Sequence, residues 1–207
     1  MPTDLMNSKT KENLMRAYAG EALTCSRYKA AEEQCRAAKL FVAANLFKFT
    51  SAQEAVHAEI FAGHLKECIE EKIEICKAAF PTAPSGSPAD LLSGASGNED
   101  YEASRLYPSF AETARSEGFG RIAQDFENIA AIERSHGERF KRFSDLLSQG
   151  KLFSCDESEC WLCLNCGYLS EARTAPETCP VCGQPQGWAI RAKESLWELR
   201  PGGEQEC

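Results

Sequence analysis

Two short patterns in this 207-residue chain have the residue types and spacing of metal ligands: Glu54-x-x-His57 and Glu133-x-x-His136. Residues three apart on a helix are turned by about 300°, so each glutamate and its histidine project from one face and can grip one metal centre. Glu99 and Glu102 have the same spacing, and Glu21 precedes the first pair much as Glu102 precedes the second. One Glu-x-x-His on a Glu-rich helix is ordinary surface chemistry. Two of them, each with a leading glutamate, are not. Gathered inside a fold, Glu21, Glu54, Glu99, Glu102 and Glu133 would repel one another and raise their own pKa values unless cations neutralised them. Two divalent ions bring the sum near minus one. Mixed nitrogen and oxygen ligands favour iron or manganese over calcium or a structural zinc.

The elements that must position these side chains are helices. From about Ser8 to Phe80 there is no proline, only Gly20 and Gly63 interrupt, and Ala, Leu, Glu, Lys and Phe dominate. A second such stretch runs from about Glu99 to Leu147, broken by Pro108, Gly118 and Gly120, and a Pro/Ser/Gly-rich connection joins the two. Offset by 79 residues, Ala52, Glu54, His57, Glu59 and Phe61 coincide with Ala131, Glu133, His136, Glu138 and Phe140, so one helical hairpin is used twice. Each half must also reverse. On a single straight helix, Glu21 and Glu54 would lie roughly 50 Å apart. Gly118 and Gly120 mark the reversal in the second half; in the first, geometry alone puts it at Arg36 to Lys39. Two hairpins joined by a long crossover make a ferritin-like four-helix bundle, all-α, in which a Glu from each of two helices and Glu-x-x-His from the other two converge on a dinuclear site. His64, about two turns from the ligand level, is expected to pack or hydrogen-bond. Cys25, one turn beyond Glu21, is read as a small packing residue.

After Gly150 the rhythm is set by Cys, Gly and Pro. The division is therefore placed at 1–150 for the bundle and 151–207 for a small metal-held module, too short to bury a core of its own. Of the eleven cysteines, Cys163/Cys166 and Cys179/Cys182 form two Cys-x-x-Cys knuckles, a tetrahedral thiolate set suited to zinc or iron. The other seven show no such pattern and their total is odd, which fits a reducing compartment. Cys155 and Cys160 are thus read as reduced surface thiols.

Composition narrows the partners. No apolar run is long enough to span a membrane, and the start carries neither a basic leader nor an apolar signal core. The formal charge of −8 and pI of about 5.1 oppose a phosphate backbone. No membrane or nucleic-acid partner is expected.

The sequence around the knuckles, Trp161-Leu-Cys-Leu-Asn-Cys-Gly-Tyr168 and Cys179-Pro-Val-Cys-Gly183, resembles rubredoxin, whose single iron carries one electron; this favours iron over zinc. With the duplicated Glu-x-x-His, Tyr18-Ala-Gly-Glu21, Glu99-Asp-Tyr-Glu102 and Leu106-Tyr-Pro108, nearly the whole chain resembles the rubrerythrin family. That resemblance implies a ferritin-like bundle with a C-terminal rubredoxin-like β module, a non-haem di-iron centre and one iron held by four cysteines. It implies a cytoplasmic peroxidase that reduces hydrogen peroxide to water, fed by a donor such as rubredoxin or an NAD(P)H-dependent reductase, in a homodimer or larger homo-oligomer. It further implies that Glu54 and Glu133 bridge the irons, that Glu21 and Glu102 bind one and Glu99 with His136 the other, and that His57 replaces Glu102 on reduction. Tyr28 and Tyr107 match tyrosines that hydrogen-bond the ligand carboxylates. Two alternatives are a ferroxidase or oxygen reductase on the same centre, and a zinc-ribbon interaction module on a metal-binding bundle without turnover.

Overall fold

The computed structural model describes residues 4–66, 75, 78–81 and 85–195. Cys68, Cys76, Cys207 and part of the crossover lie outside them.

Four long helical stretches form the first part of the chain. Helix α1 (Lys9–Ala37) starts where the Ser8 hydroxyl accepts a hydrogen bond from the Lys11 amide, a side-chain cap for an otherwise orphaned donor. It reverses into α2 (Phe41–Leu65) through Lys39, which takes a left-handed φ of 59°. The reversal is therefore made by a lysine rather than a glycine, and composition could not mark it. Helix α3 (Pro88–Tyr101) begins with a full capping box between Ser87 and Asp90 and with Pro88 in its first turn. It continues through one turn of π-helix (Glu102–Leu106) into α4 (Tyr107–Ser116). Gly118, at φ 91°, makes the turn into α5 (Gly120–Ser148). Helices α1 and α2 pack as one hairpin, and α5 packs along α3 and α4 as the other.

The duplication extends beyond the ligand motifs. Tyr28, Phe47 and Phe140 pack together with ring centroids 5.0–5.5 Å apart, and their counterparts at the same offset, Tyr107, Phe126 and Phe61, do so at 5.1–5.9 Å. Each aromatic triad anchors one of the two buried apolar clusters of the bundle. Together they plug the core above and below the polar layer and keep water from it.

The remaining residues form a three-stranded antiparallel sheet in the order β2 (Leu169–Thr174), β1 (Ser154–Cys163), β3 (Ala189–Arg191). Its own apolar cluster is small, centred on Trp161 with Ala175 and Ala189. The sheet leans on the α1–α2 reversal. The Trp188 ring stacks on Phe41 at 4.7 Å and 10°, and Leu152 and Ile190 join the bundle core. Gly187 passes so close to the Lys39 carbonyl that an added Cβ would sit 1.9 Å from its oxygen. A glycine is required there. Arg142 pairs with Glu194 across the same junction at 2.8 Å. One sequence reading is corrected: Cys160 is disulfide-bonded rather than a reduced surface thiol. Odd-number counting cannot reveal a single bridge. Cys155 is free, with its sulfur 3.2 Å from the Arg173 carbonyl.

Candidate metal centres

In the middle of the bundle the helices bring two overlapping groups of ligand atoms together, Glu21, Glu54, His57 and Glu133 in one, and Glu54, Glu99, Glu133 and His136 in the other. All seven distinct side chains but Glu102 of the carboxylate and histidine set read from the sequence thus fall in one of them, and each of the six is buried. Nδ1 of His57 lies 3.0 Å from Oε2 of Glu54 and 2.8 Å from Oε1 of Glu133. Nδ1 of His136 lies 3.1 Å from Oε1 of Glu54 and 2.7 Å from Oε2 of Glu133. Glu54 and Glu133 therefore present one oxygen to each group. Glu21 belongs to the His57 side at 4.0 Å, and Glu99 to the His136 side at 3.8 Å.

These spacings suit cations. An imidazole N–H can donate to one acceptor well, yet each Nδ1 faces several carboxylate oxygens. Neighbouring ligand atoms around an octahedral ion bound at roughly 2.1 Å are roughly 3 Å apart, which is the spacing seen. Oxygens of Glu21, Glu54, Glu99 and Glu133 are also buried without a hydrogen bond of good geometry, a costly state unless a cation takes their lone pairs.

The electrostatics agree. Burial first, then the charge of Glu54, holds the carboxyls of Glu21 and Glu99 well above the usual range. Burial opposes charge on His57 and His136, but hydrogen bonds to Glu133 and Glu54 outweigh it and push them to about 9 and about 12. Burial likewise opposes charge on Glu133, whose bonds from His136 and His57 nevertheless draw it down to about 2. Without metal, the cluster must take up protons to stay neutral.

Glu102 is the exception. It sits in the π-helical turn outside both groups, where burial and then the charges of Glu133 and Glu54 push it up to about 8. The π turn also revises the internal alignment. The offset of 79 maps Tyr28 onto Tyr107, but Glu21 precedes Tyr28 by seven residues and Glu99 precedes Tyr107 by eight. One extra residue is what a π turn absorbs without turning the faces out of register. The counterpart of Glu21 is therefore Glu99, and Glu102 is the additional carboxylate.

The tyrosines cross between halves. Tyr28 on α1 donates its hydroxyl proton to Oε1 of Glu99, and Tyr107 on α4 donates to Oε1 of Glu21. Burial and the adjacent carboxylate raise both phenols above their ordinary value, so both remain donors. Sequence reasoning missed Gln53, whose Oε1 is 3.0 Å from Nε2 of His136. Its only signal was the spacing: four residues before His57, on the ligand side of α2. His64 bonds Asp125 at 2.7 Å, and Cys25 sits 3.3 Å from Ser51, away from the ligand groups.

In the small module the four knuckle sulfurs form a third group. Cys163 and Cys182 are 3.8 Å apart and Cys166 and Cys179 3.7 Å. Tetrahedral metal–sulfur bonds of about 2.3 Å require roughly 3.8 Å. Gly167 and Gly183, at φ 79° and 69°, fold each knuckle back so that amides reach the sulfurs. The Gln184 amide beside Cys182 draws that thiol down to about 6 against some burial, whereas Cys166, despite the Tyr168 amide, is pushed up to about 12 by the neighbouring sulfurs; crowded thiols of this kind bind metal by giving up their protons. The cysteine cluster fits a rubredoxin-like iron site and the glutamate and histidine groups fit a di-iron site.

Comparison with known proteins follows the same division. The chain matches the family described as Rubrerythrin over residues 12–144 and the family described as Rubrerythrin, rubredoxin-like domain over residues 161–187. It is 38% identical to Rubrerythrin-1 of Clostridium acetobutylicum, covering 89% of this chain and 94% of the relative. It is 36% identical to a rubrerythrin of Nitratidesulfovibrio vulgaris over 88% and 93%. Among solved structures, nigerythrin in its fully reduced, all-ferrous state superposes with a TM-score of 0.60 at 27% identity, covering 89% and 90% of the two chains.

Proposed function

Because this chain belongs to the rubrerythrin family, and is thereby an iron-dependent oxidoreductase of oxidative stress, we propose that it is a peroxidase that converts hydrogen peroxide to two waters with two electrons and two protons. The observation that carries this reading is the pair of carboxylates, Glu54 and Glu133, each shared between the two ligand groups. Sharing would set two metal positions side by side, and two irons held there would together supply the two electrons that cleavage of an O–O bond consumes.

The protein's part is to hold and orient. Glu54 and Glu133 would be common to both metal positions; Glu21 with His57 would complete one and Glu99 with His136 the other, and Glu102, half-buried beside them, would be the carboxylate able to take the place of His57. Tyr107 donates to one oxygen of Glu21 and Tyr28 to one oxygen of Glu99, which leaves the other oxygen of each carboxylate available to a metal. The aromatic triads exclude bulk water from both sides.

Electrons enter through Cys163, Cys166, Cys179 and Cys182. We take residues 1–150 as the peroxide-reducing bundle and 151–207 as the electron-relay module. Trp188 packs on Phe41, and Glu54 and His57 lie 13 and 16 residues further along α2, roughly 20–24 Å of helix. So long a path within one chain supports a relay between chains, in a homodimer or larger homo-oligomer. The external donor is a rubredoxin-type protein or an NAD(P)H-dependent reductase.

The test uses full-length protein with a reduced donor, comparing turnover with hydrogen peroxide, with oxygen, and with ferrous ion as substrate. Peroxide is expected to be reduced fastest, and a Cys166→Ser/Cys182→Ser chain should be oxidised once by peroxide yet lose donor-linked turnover. Faster reduction of oxygen, or faster ferrous oxidation, would replace the peroxidase reading with the oxygen reductase or ferroxidase. Unchanged turnover in the cysteine variant would mean that the module carries no electrons.

A further inference from the structure

The two ligand groups look equivalent by the internal repeat, but their surroundings differ at one atom. On the Glu99 side, the outer ring nitrogen of His136 meets Oε1 of Gln53 at 3.0 Å, a bond reaching from α5 to α2. Because an amide oxygen only accepts, Nε2 carries a proton, so Nδ1, which faces Glu54, Glu99 and Glu133, is the nitrogen that would give up its proton and turn a lone pair to a metal. The residue that the repeat places opposite Gln53 is Ile132, 79 positions on, which has neither donor nor acceptor. No hydrogen bond to Nε2 of His57 is present among the described residues, whose ring is tied only through Nδ1. Histidine ligands are held in tautomer and orientation by the partner of their outer nitrogen, and losing that partner typically lowers metal affinity by about 10–100-fold.

We propose that Gln53 is a positioning residue that pins His136 through its outer nitrogen, making the Glu99–His136 metal position the tight and rigid one, while Ile132 at the equivalent place leaves His57 free to leave and return. The inference rests on reading the two groups as metal positions. To the exchange of His57 in that reading it adds the residue pair, Gln53 and Ile132, that decides which imidazole is held. Gln53 is only half-buried and contributes to neither apolar cluster, so its replacement by a side chain of similar volume leaves the core intact.

The experiment titrates metal-free full-length protein with cobalt(II), after zinc has been added to fill the cysteine site. Visible absorption follows binding, and proton NMR follows the paramagnetically shifted imidazole N–H signals. Wild-type protein is expected to take up two bundle cobalts in sequence, at least 10-fold apart in affinity, with one slowly exchanging shifted N–H. Gln53→Met should weaken the first cobalt by about 10–100-fold and make that signal exchange rapidly. Gln53→Glu, which keeps an acceptor, should restore both, and Ile132→Gln should add a second slowly exchanging signal. Thermal melts of the metal-free variants check that each is folded. Two cobalts of equal affinity in wild type, or a Gln53→Met chain that keeps the slow N–H, would overturn the role of Gln53. A folded wild-type chain that takes up no bundle cobalt would overturn the metal reading itself.

Discussion

Removing the metals should make the stability of the bundle fall steadily as pH rises through neutrality, and the structure sets the size of the effect. In metal-free protein, Glu102 is raised from 4.5 to about 8 by burial and by the charges of Glu133 and Glu54. A carboxyl raised in this way favours the fold while protonated. Its contribution is complete below pH 4.5 and is lost as pH climbs through 8. Between pH 5.5 and 7.5 the unfolded chain carries that group ionised and the folded chain keeps it protonated, so folding costs about 1.4 kcal/mol more per pH unit, or about 3 kcal/mol across the window. For a chain of this length that corresponds to roughly 5–10 °C in melting temperature. Glu102 retains some contact with solvent, so for this group alone the figure is an upper one. Glu21 and Glu99 are raised for the same reason and act in the same direction. His57, raised to about 9, adds to the slope above pH 6.5. Glu133 is depressed to about 2; its contribution is present above 4.5 and is lost only as pH falls through 2, outside the window. Differential scanning calorimetry at pH 5.5, 6.5 and 7.5, with and without metal, measures this. The loaded protein should be nearly flat, because cations stand where the protons stood, and Glu102→Gln should remove about one proton's worth of slope from the metal-free form. A metal-free melting temperature that is constant or rises over that range would refute the assignment of these groups to one buried cluster.

Four substitutions probe other parts of the argument. Glu133→Ala removes an oxygen from each ligand group and should lower bundle metal from two ions to below one per chain by elemental analysis, whereas Glu138→Ala, exposed on the opposite side of α5, should leave the count unchanged. His57→Ala should still load two irons but react slowly with peroxide once reduced, in stopped-flow measurements; wild-type rates in a fully loaded variant would contradict an exchangeable His57. Gly187→Ala puts a methyl group 1.9 Å from the Lys39 carbonyl oxygen, so the module must shift off the α1–α2 turn. About 1–3 kcal/mol of overpacking is expected, read as earlier melting and a changed Trp188 fluorescence as its ring leaves Phe41.

Much of this protein was legible from spacing alone, because local periodicity and the distance between ligands are properties of the chain. The i, i+3 geometry of Glu54/His57 and Glu133/His136 is settled once those segments are helical, and the knuckle spacing carries the tetrahedral thiolate set with it. The offset of 79 required two hairpins, and helix rise required each to reverse, even where Lys39 supplied the left-handed turn without a glycine. What depends on atoms from different helices meeting was settled only by the packed bundle. The pairing of Glu21 with Glu99 rather than Glu102 follows from a single residue absorbed in the π turn, whose hydrogen-bond pattern leaves no mark on composition. The crossing of Tyr28 to Glu99 and Tyr107 to Glu21, the contact of Gln53 with His136 and the seating of Gly187 on Lys39 all join residues far apart in the chain. Sequence periodicity reports which face of a helix is turned inward; it carries no information about which neighbour, at what height, that face will meet.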